Sequence, residues 1–209
     1  MTSRWGPLGW ITLHSVSANY PENPTAEDKA IAKKFVELFA ETISCPSCKN
    51  HFGIMYHSYI LRNPSWLNSR ATFFVFVCRA HNTVNMRLDK PVVRTVRDSI
   101  DTLQALTRIT APTEYRRQYL VYLIRNWAQP HAEGFMMSHA VREMKKINDE
   151  YWNLRETNFD IQIPEQDVLQ SISPTRTSTG HNIPGLTATG EPIKVGFTLK
   201  SGRFSLIGR

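Results

Sequence analysis

Cysteine is scarce in this chain: three residues in 209, at Cys45, Cys48 and Cys78. So few exclude the disulfide framework of a small secreted domain, and an apolar fraction of 41% supplies a core without such staples. Long hydrophobic runs are lacking too. The longest strongly apolar stretch, residues 73–78, is far too short to cross a bilayer, and the opening "MTSRWGPLGWITLH" has no basic region followed by an unbroken apolar segment. The expectation is a soluble protein with no membrane association and no secretory signal. Acidic residues are outnumbered, 18 against 25 Lys and Arg for a net charge of +7, but the basic residues are scattered and form no block. Nucleic acid is therefore not the expected partner.

What is present reads as helical. A first helix over residues 7–19 carries Trp10, Leu13, His14 and Ser17 on one face and stops before the Pro21 and Pro24 turn. Thr25, with Asp28 three residues on, opens a second helix whose stripe is Ile31, Phe35, Leu38, Phe39 and Thr42. Pro46 suits the first turn of a third helix, with Cys45 at its N-cap, Cys48 inside the first turn, and an end at Asn63 and Pro64. A fourth begins near Asn68 or Ser69 and runs toward Pro91, and a shorter fifth covers about residues 93–106. The predicted fold is all-α: a four-helix bundle plus a short fifth helix over residues 1–108, an additional helical region over 109–172, and an irregular tail over 173–209 with one short strand at 193–200.

The pair in "ETISCPSCKNHF" carries the chemistry. At a helix start, unpaired N–H groups and the positive end of the dipole stabilise a thiolate, and Lys49 and His51 follow immediately. A two-residue spacer allows a disulfide that opens and closes. On spacing alone three readings stay open: a redox couple, half of a zinc site, or two thiols that happen to be close. A second feature lies in residues 78–91, where Cys78, His81, Asn85 and Leu88 follow one another by three, four and three and so share a helical face. A core histidine and a structural amide would account for that pair in isolation. Trp10 and His14, also four apart, add a second such face and favour a site for a large polar ligand.

In order, "WGPLGWITLH" at 5–14, "YPENPT" at 20–25, "CPSC" at 45–48 and "HNTVNMRLDKP" at 81–91 resemble the Erv/ALR sulfhydryl oxidases over residues 4–105. The resemblance implies a helical bundle holding FAD, with the Cys45–Cys48 redox disulfide beside the flavin and Gly6, Trp10, His14, Tyr20, Cys78, His81, Asn82, Asn85, Leu88 and Lys90 lining its site. It further implies a thiol oxidase that introduces disulfides into protein substrates, passes electrons to molecular oxygen with hydrogen peroxide as product, and works as a homodimer. Family members commonly carry a cysteine shortly after the "KP", and an aromatic residue on the fifth helix over the adenine; neither is found in "KPVVRTVRDSIDTLQALT". Nor is there a second cysteine pair to act as a shuttle. This lean form resembles the versions carried by large DNA viruses, which implies a separate thioredoxin-like relay protein and a place in host cytoplasm or virion ahead of the mitochondrial intermembrane space.

The implied mechanism begins with attack of a substrate thiolate on Cys45, taken as the outer sulfur, which frees Cys48 toward the flavin. The alternative from a different class is a zinc-binding helical interaction module using Cys45, Cys48, Cys78 and His81. Beyond residue 108, Tyr115, Tyr119, Tyr122, Leu123 and Trp127, then Met137, Val141, Met144, Ile147 and Tyr151, recur at helical spacing. They read as packing surface, or as a docking face for the relay partner whose removal would spare small-thiol oxidation.

Overall fold

The computed structural model describes residues 2–128, 132–163 and 169. The chain divides into two compact units, Met1–Pro174 and Thr175–Arg209. The second unit, and with it the expected tail and the strand at 193–200, lies outside the described residues. Among the described residues the secondary structure is entirely helical: α1 (Thr2–Asn19), α2 (Ala26–Thr42), α3 (Pro46–Arg62), α4 (Arg70–Arg87), α5 (Val96–Thr107), α6 (Pro112–Trp127) and α7 (Ala132–Glu150), then a 3-10 turn, Trp152–Leu154. The all-α expectation holds. No helix among them is long and apolar enough to cross a membrane.

Local chemistry sets most boundaries. Thr25 and Asp28 form a reciprocal capping box at the start of α2, Ser69 and Thr72 do the same for α4, and Thr95 and Asp98 for α5. Cys45 caps α3, with Pro46 in its first turn where a missing N–H costs nothing. At the end of α4 Asp89 turns into the left-handed region at φ 52°. There Asn82 grips the following loop through both halves of its amide, donating to Val93 O at 2.7 Å and accepting from Val93 N at 3.0 Å.

The main core is largely aromatic. Tyr56, Tyr59, Trp66, Phe73 and Phe76 pack on one another between α3 and α4, and the same cluster continues through Leu13 and Val16 of α1 to Phe35 and Phe39 of α2. Gly9 is where α1 comes nearest its neighbours: a Cβ there would lie 3.3 Å from the rings of Phe39 and Tyr119. Tyr119, Leu123, Met144 and Trp152 belong to this core, so the additional helical region completes the bundle instead of resting on it. Trp152 is fully buried, edge-on to Phe35, and Trp127 Nε1 donates to Thr42 O at 3.0 Å.

A buried guanidinium joins the two halves. Arg116 on α6 is 0% exposed and donates to Ser15 Oγ on α1, to Asn148 Oδ1 on α7, and to Trp152 O and Asn153 Oδ1 beyond it. Burial pulls its pKa down to about 10, which leaves it charged at neutral pH. Asp28 makes a second link: Tyr151 Oη and Arg155 both donate to its Oδ1. Burial alone would raise its pKa, but hydrogen bonds from Tyr151 and Thr25 and the charge of Arg155 outweigh it and hold the carboxyl low. A depressed carboxylate stabilises the fold above its unfolded value and loses that contribution as pH falls through the folded value. Asp28→Asn should therefore lower the melting temperature at pH 7 and flatten the acid limb of the stability curve below pH ~4; a variant melting like the parent at both pH values would count against the link.

Candidate functional site

The Cys45–Cys48 pair is a disulfide with Cα atoms 5.2 Å apart. It follows from the start of α3. Cys45 is the N-cap in extended backbone, so its sulfur takes the N–H of Cys48 at 3.3 Å, as a capping oxygen would, while Ser47 Oγ lies 3.4 Å away. Both sulfurs are half-buried against the main core, and the structure does not rank one as the outer. Two basic residues are close in the fold or the chain: Arg87, in the last turn of α4, donates to Ser47 O at 3.1 Å, and Lys49 follows Cys48 on α3 with its ammonium 4.0 Å from Met137 Sδ.

Behind the disulfide an aromatic line crosses three helices. Phe52, one turn beyond Cys48, meets Trp10 of α1 with ring centroids 6.3 Å apart. Trp10 stacks on His81 of α4 at 4.3 Å and an interplanar angle of 9°. His81 Nδ1 in turn lies 3.2 Å from His14 Nε2, so one of the two carries the shared proton. Burial holds both imidazoles well below the ordinary 6.5, His14 at about 3, further lowered by His81, and His81 at about 4, further lowered by Lys90. Both are neutral at pH 7. The unfolded chain takes up these protons more readily, so stability is full above 6.5 and falls as pH drops from there toward 4, by about 1.4 kcal/mol per pH unit for each histidine. Urea denaturation at pH 7.5 and pH 5 should show the loss, and equal midpoints would contradict it.

The remaining expected site residues divide. Gly6 is buried one turn before Trp10 on α1. Cys78 is buried one turn before His81, in a second cluster with Ala18, Phe74, Val96 and Ile161, against which Phe159 also packs. Lys90 and Leu88 are exposed where α4 ends. Tyr20 is not brought to the histidines: its ring packs edge-on against Phe73 and its hydroxyl donates to Leu67 O at 3.0 Å. Asn82 holds Val93, and Asn85 donates to Pro91 O at 3.1 Å, so both amides brace the loop after α4. Among the described residues no three His, Cys, Asp or Glu side chains gather as metal ligands, and the Cys45, Cys48, Cys78 and His81 alternative gains no support. Sequence reading missed Arg87, for which the only signal is its place in the last turn before the helix stop.

A flavin is the group to test against this face. His14 Nδ1 on α1 is buried with no hydrogen-bond partner. Together with a flat Trp10–His81 stack and two uncharged imidazoles, it suits a planar ring system with polar edges. The residues present fit the group.

Comparison with known proteins gives a match to the Erv1 / Alr family over residues 8–103. Relatives include a protein named mitochondrial FAD-linked sulfhydryl oxidase ERV1 from Saccharomyces cerevisiae, 37% identical over 86 residues, which are 41% of this chain and 43% of that protein. An FAD-linked sulfhydryl oxidase of African swine fever virus is 33% identical over 43% of this chain and 71% of its own length. A putative FAD-linked sulfhydryl oxidase of invertebrate iridescent virus 6 is 34% identical over 43% of this chain and 83% of its own. The chain spans less than half the length of the yeast, Arabidopsis and rice relatives it matches. No solved structure matches it.

Proposed function

The chain belongs to the Erv1 / Alr family, and from that premise we propose that it is an FAD-linked sulfhydryl oxidase that forms disulfides in protein substrates. The observation that carries the reading is a half-buried disulfide at a helix start, with Arg87 held on Ser47 between its two cysteines and the aromatic line from Phe52 to His81 beyond it. One substrate thiolate attacks Cys45 Sγ, the Cys45–Cys48 bond breaks, and its electron pair leaves on Cys48 as a thiolate. A second substrate thiolate attacks the substrate sulfur of the mixed disulfide and releases Cys45. That release is favoured because the Cys48 N–H and the positive end of α3 already face the Cys45 sulfur. Substrate departs as a disulfide, and its two electrons remain on the dithiol.

When bound, FAD would supply the two-electron redox chemistry that carries the pair from the dithiol to molecular oxygen, with hydrogen peroxide as product. The Trp10–His81 stack would border the ring system, His14 Nδ1 would offer it a polar contact, and Lys90 would supply a positive charge for its phosphates. Gly6, Cys78 and Leu88 would complete the walls, with Asn82 and Asn85 fixing the loop that carries Lys90. Tyr20 acts at a distance by packing α1 against α4. The electrons come from a protein thiol, supplied directly or through a thioredoxin-like relay, in host cytoplasm or virion. A homodimer would have to form away from the faces of α1 and α2 that α6 and α7 cover.

A visible spectrum of the purified protein, followed by oxygen uptake with dithiothreitol, tests the reading; a colourless protein that flavin cannot reconstitute would end it. His81→Ala, which removes both the Trp10 stack and the His14 contact, should leave the helices formed but weaken flavin retention about tenfold or more. Undiminished flavin per folded chain would mean that the cofactor binds elsewhere.

A further inference from the structure

We infer that His51 is a catalytic hydrogen-bond donor to Cys48: its Nδ1–H has no partner while the disulfide is closed and is taken up by the Cys48 thiolate when the disulfide opens. His51 lies three residues beyond Cys48 on α3, so the two side chains are neighbours on one helical face. Its ring is half-buried, yet Nδ1 is fully enclosed and meets no acceptor. An enclosed, unpaired N–H is a standing cost in a folded protein. Cys48 accounts for it. In the disulfide its sulfur is a poor acceptor, and as a thiolate it is a strong one, so the cost is relieved only in the reduced state.

The surroundings decide between donor and base. Arg87 of α4, anchored on Ser47 O at 3.1 Å, is the charged group that acts on His51. Burial first and Arg87 second lower the pKa of the imidazole, which opposes an imidazolium and favours a neutral donor. A neutral imidazole can still donate from Nδ1. No proton or electron moves through His51: the S–S bond breaks, the electron pair settles on Cys48, and the N–H stabilises that charge. The assignment of Cys48 as the leaving sulfur rests on the exchange proposed above.

The test uses the full chain with Cys48 as its sole cysteine, in a Cys45→Ser, Cys78→Ala background. The thiolate is titrated by its absorbance at 240 nm and by the pH dependence of iodoacetamide alkylation. His51→Ala should raise the Cys48 pKa by about one unit, a tenfold loss of thiolate near neutrality. His51→Asn should restore at least half of the shift, because its side-chain nitrogen is bonded to Cγ as Nδ1 is. His51→Gln, whose nitrogen lies one bond further out, should behave like Ala. An unshifted pKa in His51→Ala, or Asn and Gln variants that behave alike, overturns the proposal. If His51→Ala fails to fold by circular dichroism, the Asn and Gln comparison decides alone. Oxygen uptake by the unmodified protein is scored separately: a protein that consumes no oxygen yet shows the His51 shifts would refute the oxidase reading and leave this inference standing.

Discussion

Cys45→Ser and Cys48→Ser should each reduce thiol-driven oxygen uptake to background, while Cys78→Ala retains most of it per folded chain. Either serine leaves a single thiol at the start of α3, with no disulfide for a substrate thiolate to attack and no partner sulfur to take up its electron pair. The expected loss is therefore nearly complete, not graded. Cys78 is 1% exposed and packed in the cluster with Phe74 and Val96, away from solvent thiols. Its replacement by Ala removes one buried sulfur and should cost roughly 1 kcal/mol of stability, with little effect on turnover. Oxygen-electrode rates at equal folded concentration provide the measurement. Substantial turnover in Cys48→Ser would remove the disulfide from the mechanism.

A chain ended at Arg108 should fail to fold, and so lose any bound flavin. Such a cut removes Tyr119, Leu123, Met144 and Trp152 from the main core and bares Phe35 and Phe39 of α2. Each large side chain lost is worth about 3–5 kcal/mol, and a domain's whole stability is about 5–15. The point variant Arg116→Ala, which leaves Ser15 and Asn148 without their partner, should cost on the order of 3 kcal/mol, whereas the exposed neighbour Arg117→Ala should change stability by less than about 0.5. Circular dichroism and urea titration separate the cases. A truncated chain that unfolded cooperatively would show that α1 to α5 stand alone.

Sequence alone made α2, α3 and α4 legible because their starts are written locally, in Thr25 with Asp28, in Cys45 with Pro46 and in Ser69. The start of α1 was not, since Pro7 reads as a first-turn residue whereas the helix opens at Thr2 and carries Pro7 inside it. The Trp10 and histidine face was legible in part. Trp10, His14 and His81 do meet, as their four-residue and cross-helix pattern suggested. Asn82 and Asn85 sit on the same helix, but whether an amide turns to a ligand or to the loop behind it depends on where residues 91–93 fold back, and no spacing rule records that. Arg116 is the extreme case. Beside Arg117 in "EYRRQYL" it looks like any surface arginine, and its burial depends on contacts with Ser15, 101 residues earlier, and Asn148, 32 later.

That reach along the chain has a consequence for biosynthesis. Because Arg116 Nη1 seeks Ser15, and the Trp152 ring closes on Phe35, the first helices cannot settle into their final core until residues near 155 have left the ribosome. At about 5–20 residues per second, Cys45 and Cys48 precede that moment by several seconds and emerge as two exposed thiols beside unburied aromatic surface. The nascent chain is thus open to oxidation or to chaperone capture before its core has closed. Protease treatment of ribosome-stalled chains should show α1 to α3 cleavable until residue 155 has cleared the tunnel and protected afterwards; protection with only α5 exposed would reverse the order.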